Sequence, residues 1–234
     1  MSRPPATADL ENLLPARTVA VLSAEPVTDS ERLPDAPLPS PERAATGPMQ
    51  PARREAFVHG RTCARAALNL LGVPNPVIPV GADREPVWPA GIVGSISHCG
   101  PVAAAAVARS EDVGGLGIDL ETDEPLDRQT LPLICRASER DALVHAKDEL
   151  HRAKLIFSAK ESIYKCLWPI VRHFVDFQDV GIRIEPATRS FAATEWYASL
   201  PDPVIGSVRG RYLVRDGWIL TAAWLPGDIT KDQR

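Results

Sequence analysis

The order of helical and strand-like segments is the feature of this sequence that most restricts its fold. Apolar residues recur at helical spacing over residues 54–71 and 149–168, and a shorter helix is predicted over 138–146. Short apolar or alternating runs predict strands at 92–97, 102–108, 116–121, 180–184, 191–198, 208–214 and 218–225. This mixed order favours an α+β fold over a parallel doubly wound sheet.

Local signals predict where some of these elements begin and end. Ser138, with Asp141 three residues later, predicts a capped helix start. Because the residue before a proline is disfavoured in a helix, the long helix should end before Pro169. Asp216-Gly217 lies between the last two predicted strands, and this pair is typical of a tight hairpin turn.

Proline limits the structure of the first fifty residues. The chain has 23 prolines, and many fall between Pro34 and Pro51, a stretch that we expect to contain neither regular helix nor sheet. Residues 1–50 are therefore predicted to form a loosely structured arm with short ordered pieces. The apolar run Val19–Leu22 is one candidate for a short strand.

Composition excludes several classes of protein. Hydrophobic residues make up 44% and charged residues 24% of the 234 residues, as in an ordinary globular protein. The net charge of −4 gives no case for nucleic-acid binding. No stretch approaches the ~20 apolar residues of a membrane span, and the first residues do not resemble a signal peptide. We therefore expect a cytoplasmic protein. The four cysteines form no CxxC pair, which argues against a zinc site.

Two acids occupy alternate positions of the strand predicted over 116–121. Asp119 and Glu121 project from the same strand face, whereas Ile118 and Leu120 point the other way. Adjacent carboxylates repel each other unless a cation lies between them, and a divalent ion with oxygen ligands suits such a pair. The alternative is a strand end with two solvated acids.

The long helix carries a second charged pair. Glu161 and Lys165 are four residues apart and therefore share a helix face. An ordinary surface ion pair is one interpretation. However, Phe157, Tyr164 and Trp168 lie on nearly the same stripe, which predicts partial burial. A buried carboxylate and ammonium need partners, which a metal ion and a phosphate would supply.

A third candidate site lies in the small-residue run from Gly94 to Gly100. Small and hydroxyl residues let backbone N–H groups approach an anion. Ser97 and His98 stand in this run, and His98 adds a donor that can become charged near neutral pH. The sequence is compatible with two roles for His98, a structural one and a contact with a phosphate.

Together these motifs resemble the 4′-phosphopantetheinyl transferases of the two-lobed type, represented by the enzymes of surfactin and enterobactin synthesis. The blocks Gly117-x-Asp119-x-Glu121 and 157–165 are about forty residues apart, as in that family. Upstream blocks at 53–67, 84–89 and 94–99 are similar to the enterobactin synthase component D-like subgroup. The resemblance covers about residues 53–225.

The resemblance implies an α+β fold of two similar lobes related by a pseudo-twofold, with coenzyme A in the cleft between them. An N-terminal lobe is expected at 51–113 and a C-terminal lobe with the metal and catalytic motifs at 114–234. Since one chain would form the whole cleft, a monomer is expected. The implied reaction transfers phosphopantetheine from coenzyme A to a serine of an apo acyl or peptidyl carrier protein and releases adenosine 3′,5′-bisphosphate.

The resemblance also implies roles for individual residues. Asp119, Glu121 and Glu161 would hold Mg²⁺, with Mn²⁺ as an alternative. Asp119, Glu161 and Lys165 would be catalytic, with Glu161 as the base and Lys165 neutralising the pyrophosphate. Residues expected to contact coenzyme A are Arg53, Arg61, Arg84, Ser97, His98, Lys160 and Lys165.

This chain departs from its apparent relatives at two places. Where many carry a basic residue, this chain has Val80, and Arg84 is the nearest substitute. Gly100-Pro101 replaces a Gly-Tyr turn. Two other functions remain possible: a metal-dependent phosphohydrolase of a nucleotide or coenzyme A, and a non-catalytic coenzyme A-binding subunit. The sequence does not choose among fatty-acid, polyketide and nonribosomal-peptide carriers.

Overall fold

The computed structural model describes residues 3–24, 38–144, 146–173, 175–196, 204 and 206–227. These residues form two antiparallel sheets, of three and five strands, and each sheet is covered by one long helix. The predicted α+β class is confirmed. None of the described helices is both long and apolar enough to cross a bilayer.

The first sheet contains β1, β3 and β2 in that order, with α3 packed against it. β3 is central and buried on both faces, which explains its run of small apolar residues. The elements of this lobe are α1 Thr7–Glu11, β1 Thr18–Ser23, α2 Ser40–Ala44, α3 Pro51–Leu70, β2 Ile92–Cys99 and β3 Val102–Arg109.

The second sheet has the order β4-β8-β7-β6-β5, and α6 packs across β4 and β8. The hairpin turn at Asp216-Gly217 has positive φ at both residues, as a type I′ turn requires. The elements are β4 Val113–Thr122, α4 Leu131–Ile134, α5 Ala137–Leu143, α6 Glu149–Val171, β5 Val180–Glu185, β6 Ser190–Trp196, β7 Arg209–Arg215 and β8 Trp218–Pro226.

The two lobes repeat one topology. From its first strand, each lobe continues to a long helix and then returns through antiparallel strands, although α1 precedes the first strand of the N-terminal lobe. In each lobe the last strand pairs antiparallel with the first, β3 with β1 and β8 with β4. This repeat agrees with the similar lobes that the family resemblance implies.

Two serine hydroxyls join the lobes where the edge strands β2 and β4 meet. The backbone N–H of Ile118 donates to Ser95 Oγ at 3.0 Å, and that of Leu120 donates to Ser97 Oγ at 3.2 Å. The hydroxyls thereby satisfy N–H groups that an edge strand leaves unpaired. A single apolar cluster also spans the junction, so the two sheets share part of their core.

Close approach of α6 to β4 depends on glycine. A Cβ at Gly117 would collide with the backbone carbonyl of Ser162, and one at Gly115 would collide with that of Cys166. The helix therefore lies directly on the strand that carries Asp119. This gives a packing reason for the glycine two residues before the acid.

Some predicted boundaries and caps need correction. The helix α6 continues through Pro169 to Val171, because Pro169 lies in its last turn and Arg172 N still donates to Trp168 O at 3.0 Å. Ser138 does not cap α5; instead Glu139 accepts the N–H of Arg136 at 2.8 Å. Residues 145, 197 and 198 of the predicted elements lie outside the described residues.

The predicted arm is partly integrated into the first lobe. The expected strand at Val19–Leu22 is confirmed as part of β1, which pairs with β3 along its whole length. The helix α2 lies within the proline-rich stretch, with Pro41 in its first turn, so the expectation of no regular structure there is wrong. Residues 1, 2 and 25–37 of the arm lie outside the described residues.

Candidate active site

A cleft of ≈ 1250 Å³ opens between the two lobes. Its size exceeds the usual 300–1,000 Å³ of sites for drug-sized ligands and fits an extended nucleotide cofactor. Aromatic side chains from both lobes line the cleft beside charged ones. The residues that line the cleft include Arg53, Phe57, Arg61, Val80, Arg84, Trp88, His98, Tyr164, Lys165 and Trp168.

The N-terminal lobe supplies a cationic wall. Arg61 of α3 is only 3% exposed, and its Nη1 has no hydrogen-bond partner among the described residues. Its guanidinium lies 5.0 Å from the Phe57 ring centroid. Burial lowers the pKa of Arg61 to about 10, which leaves it charged at neutral pH. A buried guanidinium with an unpaired N–H suits an anion, and Arg53 and Arg84 line the same cleft.

His98, on β2, also faces the cleft. Loss of hydration there, followed by the charge of Lys165, lowers the pKa of His98, so the neutral imidazole is favoured. The Gly100-Pro101 departure forms the two-residue turn between β2 and β3. Gly100 has φ 56°, which suits the first central position of a tight hairpin.

The C-terminal lobe supplies an acid–lysine network at the base of the cleft. Asp119 of β4 is 4% exposed, and its Oδ1 accepts from Lys165 Nζ at 2.7 Å and from Ser97 Oγ at 3.0 Å. Its Oδ2 is buried without a hydrogen-bond partner in the described part of the chain. An orphaned buried carboxylate oxygen is costly and indicates a missing cation or donor.

Two further carboxylates lie near this pair. Glu161 Oε2 is 4.0 Å from Lys165 Nζ, and Glu121 Oε2 accepts from Lys154 Nζ at 2.6 Å. Burial, and then the charges of Asp119 and Glu121 against the opposing effect of Lys165, raise the pKa of Glu161. Burial raises the pKa of Glu121 as well, with Lys154 opposing it. Within the described ranges, no three His, Cys, Asp or Glu side chains converge closely enough to hold a metal ion.

Comparisons with known proteins identify the family. The profile of the 4′-phosphopantetheinyl transferase N-terminal domain matches residues 41–108, and that of the 4′-phosphopantetheinyl transferase superfamily matches residues 115–207. The chain is 38% identical over 192 residues to 4′-phosphopantetheinyl transferase Svp of Streptomyces mobaraensis, a match that covers 78% of this chain and 76% of that protein. The chain belongs to the 4′-phosphopantetheinyl transferase family.

Two more relatives support this membership. 4′-Phosphopantetheinyl transferase PptT of Mycobacterium tuberculosis is 36% identical over 179 residues, 73% of this chain and 78% of that protein. Enterobactin synthase component D of Salmonella typhi is 36% identical over 116 residues, 48% of this chain and 47% of that protein. The resemblance inferred from the sequence motifs is confirmed. The two matching profiles are separated by residues 109–114, which include the turn between β3 and β4.

The structure corrects the expected contact of Lys160 with coenzyme A. Its ammonium is 1% exposed and donates to Glu139 Oε2 at 2.7 Å, Ile134 O at 2.9 Å and Phe177 O at 2.8 Å. These bonds use all three donors of the ammonium. Because adjacent helix residues point about 100° apart, Lys160 cannot share the face of Glu161. In this transferase it holds α6 against the rest of the lobe.

Ser97 is also placed differently from expectation. Its hydroxyl donates to Asp119, accepts from Leu120 N, and lies 3.4 Å from Lys165 Nζ. These contacts engage the hydroxyl at the junction of β2 and β4 rather than on the cleft wall. Ser97 thus orients the acid of the other lobe.

Sequence reasoning missed Lys154, the partner of Glu121. Lys154 lies seven residues before Glu161 and eleven before Lys165, so all three share one face of α6. That spacing was a signal that could have pointed to it. All four cysteines are free thiols.

Proposed function

We propose that this chain transfers 4′-phosphopantetheine from coenzyme A to a serine of an apo acyl or peptidyl carrier protein, releasing adenosine 3′,5′-bisphosphate. The observation that carries the assignment of roles is the opposition of two charged groups across one cleft. Arg61, whose buried Nη1 has no hydrogen-bond partner within the described residues, lines one wall, and Lys165, paired with Asp119, lines the base.

Coenzyme A is placed with its adenosine end on the N-terminal lobe. Arg61, with Arg53, binds the 3′-phosphate region, since a guanidinium presents several donors to a phosphate. Arg84 takes the part of the basic residue that relatives carry near Val80, as it lines the same cleft. His98 contacts a phosphate from β2, and Lys165 binds the pyrophosphate.

The chemistry of the carboxylates suits a divalent cation, although no three of them converge in the metal-free arrangement of the described residues. Asp119 keeps a buried oxygen without a partner, and the nearby negative charges contribute to the raised pKa of Glu161. Asp119, Glu121 and Glu161 would hold Mg²⁺ or Mn²⁺, because both prefer oxygen ligands. When bound, the ion supplies neutralisation of the charge on the reacting pyrophosphate.

The residues of α6 and β4 position the reaction and move its protons. Glu161 accepts the proton of the carrier serine hydroxyl as the general base. The serine oxygen attacks the phosphorus that bears the pantetheine arm, and the bond to the adenosine bisphosphate oxygen breaks. Lys165 Nζ neutralises the departing oxygen and can protonate it. Ser97 holds Asp119, which in turn holds Lys165.

The two competing functions have less support. A phosphohydrolase of a nucleotide or coenzyme A could use the same acids, but two of the relatives above, Svp and PptT, are named as transferases. A non-catalytic coenzyme A-binding subunit has no use for a buried network of Asp119, Lys165 and Glu161. A monomer working in the cytoplasm remains our expectation. The carrier is of the fatty-acid, polyketide or nonribosomal-peptide type.

Mass spectrometry tests this proposal. Several apo carrier proteins are incubated with the full chain, coenzyme A and Mg²⁺, and one carrier should gain a single phosphopantetheine group on a serine. The Glu161→Gln variant should lower the rate by about 10²–10⁴-fold, the usual contribution of a general base. As a matched control, replacement of the exposed Lys147 by Met should leave the rate unchanged. Free phosphopantetheine without a carrier would favour the hydrolase, and coenzyme A binding without transfer would favour the binding subunit.

A further inference from the structure

A lysine is paired with Glu121, one of the proposed metal ligands. Lys154 Nζ lies 2.6 Å from Glu121 Oε2, and the two side chains are only 17% and 22% exposed. The ammonium also lies 4.9 Å from the centroid of the Phe157 ring, which helps to hold it in place. The contact is therefore shielded from water on several sides and is stronger than an ordinary surface pair.

The pair belongs to a regular series of contacts between β4 and α6. Asp119 meets Lys165, Glu121 meets Lys154, and Asp123 meets His151 at 3.0 Å. Acids at positions 119, 121 and 123 of β4 and the residue after it thus face basic side chains at successive places along the helix. Each of the two acids proposed as metal ligands on β4 consequently has an ammonium of its own.

This series accounts for the arrangement of the acids. With Lys154 on Glu121 and Lys165 on Asp119, mutual repulsion of the carboxylates is relieved without a metal ion. Within the part of the chain that the structure describes, no three of the acids converge closely enough to hold a metal ion. A divalent ion must therefore share Glu121 with Lys154 or displace it.

We propose that Lys154 is an internal competitor of the divalent cation at Glu121, one that sets the metal affinity of the site. The inference rests on the proposed function, because it takes the three acids as the metal ligands. The ammonium neutralises Glu121 in the metal-free protein and opposes the ion by competition for the carboxylate and by charge repulsion. Lys154 is a positioning residue, since it acts through Glu121.

The experiment measures Mn²⁺ binding to the full chain without coenzyme A or carrier, by electron paramagnetic resonance of the free ion. The Lys154→Met variant keeps the apolar contact with Phe157 and removes the charge. We expect it to bind Mn²⁺ roughly tenfold more tightly than the parent, a typical coupling between adjacent charged groups. Lys154→Arg keeps the charge and should remain within about twofold of the parent.

Further variants separate this inference from the proposed function. Lys147→Met makes the same chemical change at an exposed position and should leave Mn²⁺ affinity unaltered. In a Glu121→Gln background, Lys154→Met should give no gain, because the shared carboxylate is gone. Without metal, Lys154→Met should also unfold at a lower temperature than the parent, and saturating Mn²⁺ should narrow that difference.

Each other result has a defined meaning. Unchanged or weaker Mn²⁺ binding by Lys154→Met overturns the inference, and weaker binding would mean that Lys154 orients Glu121 for the metal. Either result leaves the three acids as the metal site. If Glu121→Gln alone binds Mn²⁺ as tightly as the parent, or the parent does not bind it saturably, the metal assignment fails and the inference fails with it.

Discussion

The two lobes contain equivalent buried ion pairs at corresponding places in their topology. In the N-terminal lobe, Arg65 of α3 pairs with Glu42 of α2 at 2.7 Å, and Glu42 also accepts the N–H of Ile78 at 2.9 Å. In the C-terminal lobe, Lys160 of α6 pairs with Glu139 of α5 at 2.7 Å, and Glu139 accepts the N–H of Ile182 at 2.8 Å. In both lobes a glutamate on a short helix ties the long helix to the chain beyond it.

The lobes differ in the contacts of a second cationic residue on each long helix, which is Arg61 in α3 and Lys165 in α6. Arg61, one turn before Arg65, lines the cleft, and its buried Nη1 has no hydrogen-bond partner among the residues that the structure describes. Lys165, five residues after Lys160, is already engaged by Asp119 and by the carbonyl of Ile118 at 3.2 Å. This difference supports the proposal that the first lobe receives an anion, whereas the second holds a charge network for chemistry.

Breaking the two buried ion pairs should give the largest losses of unfolding free energy, and it should change different kinetic constants in the two lobes. Lys160→Met leaves Glu139 and two backbone carbonyls without their cation, and Arg65→Met leaves Glu42 without its own. Each should cost about 3–5 kcal/mol of unfolding free energy, measured by urea denaturation. In the protein that still folds, Lys160→Met should lower mainly kcat, and Arg65→Met should raise mainly the KM for coenzyme A.

The surface pair Arg128–Glu149, 3.1 Å apart, provides the control for these variants. Arg128 is exposed, so Arg128→Met should cost at most about 1 kcal/mol and leave both kinetic constants unchanged. If Lys160→Met is no more destabilising than Arg128→Met, the buried pair does not hold α6. If both buried-pair variants change kcat and KM alike, the proposed division between the lobes is wrong.

Removal of the two cleft cations, Arg61 and Lys165, should have different effects on ligand affinity and on the rate of transfer. Arg61→Ala should weaken binding of coenzyme A by about tenfold or more while affecting dephospho-coenzyme A less, because a charge-assisted contact is worth about 1.5–3 kcal/mol. Lys165→Ala should weaken both ligands equally and also slow transfer. Calorimetric titration of both variants with both ligands checks this. Equal losses for Arg61→Ala would place Arg61 away from the 3′-phosphate.

Glycine contacts give a third comparison. A Cβ at Gly117 meets backbone of α6, whereas one at Gly60 of α3 meets only the side chain of Ile96, at 2.7 Å. Backbone cannot move aside as a side chain can, so Gly117→Ala should cost about 1–3 kcal/mol and displace Asp119 from Lys165. Gly60→Ala should cost less, since Ala favours the helix by about 1 kcal/mol. Unfolding free energies in the reverse order would contradict this packing account.

The smallest expected effect is a difference in pH response. Burial, and next the weaker opposing charge of Glu55, place the pKa of His59 below its ordinary value of 6.5. The unfolded chain then binds more protons than the folded one, so stability is full above pH 6.5 and falls as pH decreases below it. His59→Gln should flatten the loss of unfolding free energy between about pH 6.5 and 5. An equal slope in the parent and in His59→Gln would contradict the assignment.

The sequence by itself predicted the strands, the two long helices and the chemistry-bearing motifs, but not the short helices α1, α2 and α4. The periodicities of α3 and α6 and the alternation in β4 are local properties, so they showed which residues share a face. They placed Asp119 beside Glu121, and Glu161 beside Lys165, before any fold was known. The five ordered motif blocks were specific enough to predict the family.

Only the tertiary structure decided which charged groups meet. Lys160 stands next to Glu161 in the sequence, yet it binds Glu139 on another helix. Ser97 and Lys154 lie 22 and 33 residues from the acids that they contact. Such partnerships depend on how edge strands align and how closely a helix approaches a sheet, and neither is a periodic property of the chain. The physical reason is that a buried charge takes the partner that packing brings within reach, whatever its distance along the sequence.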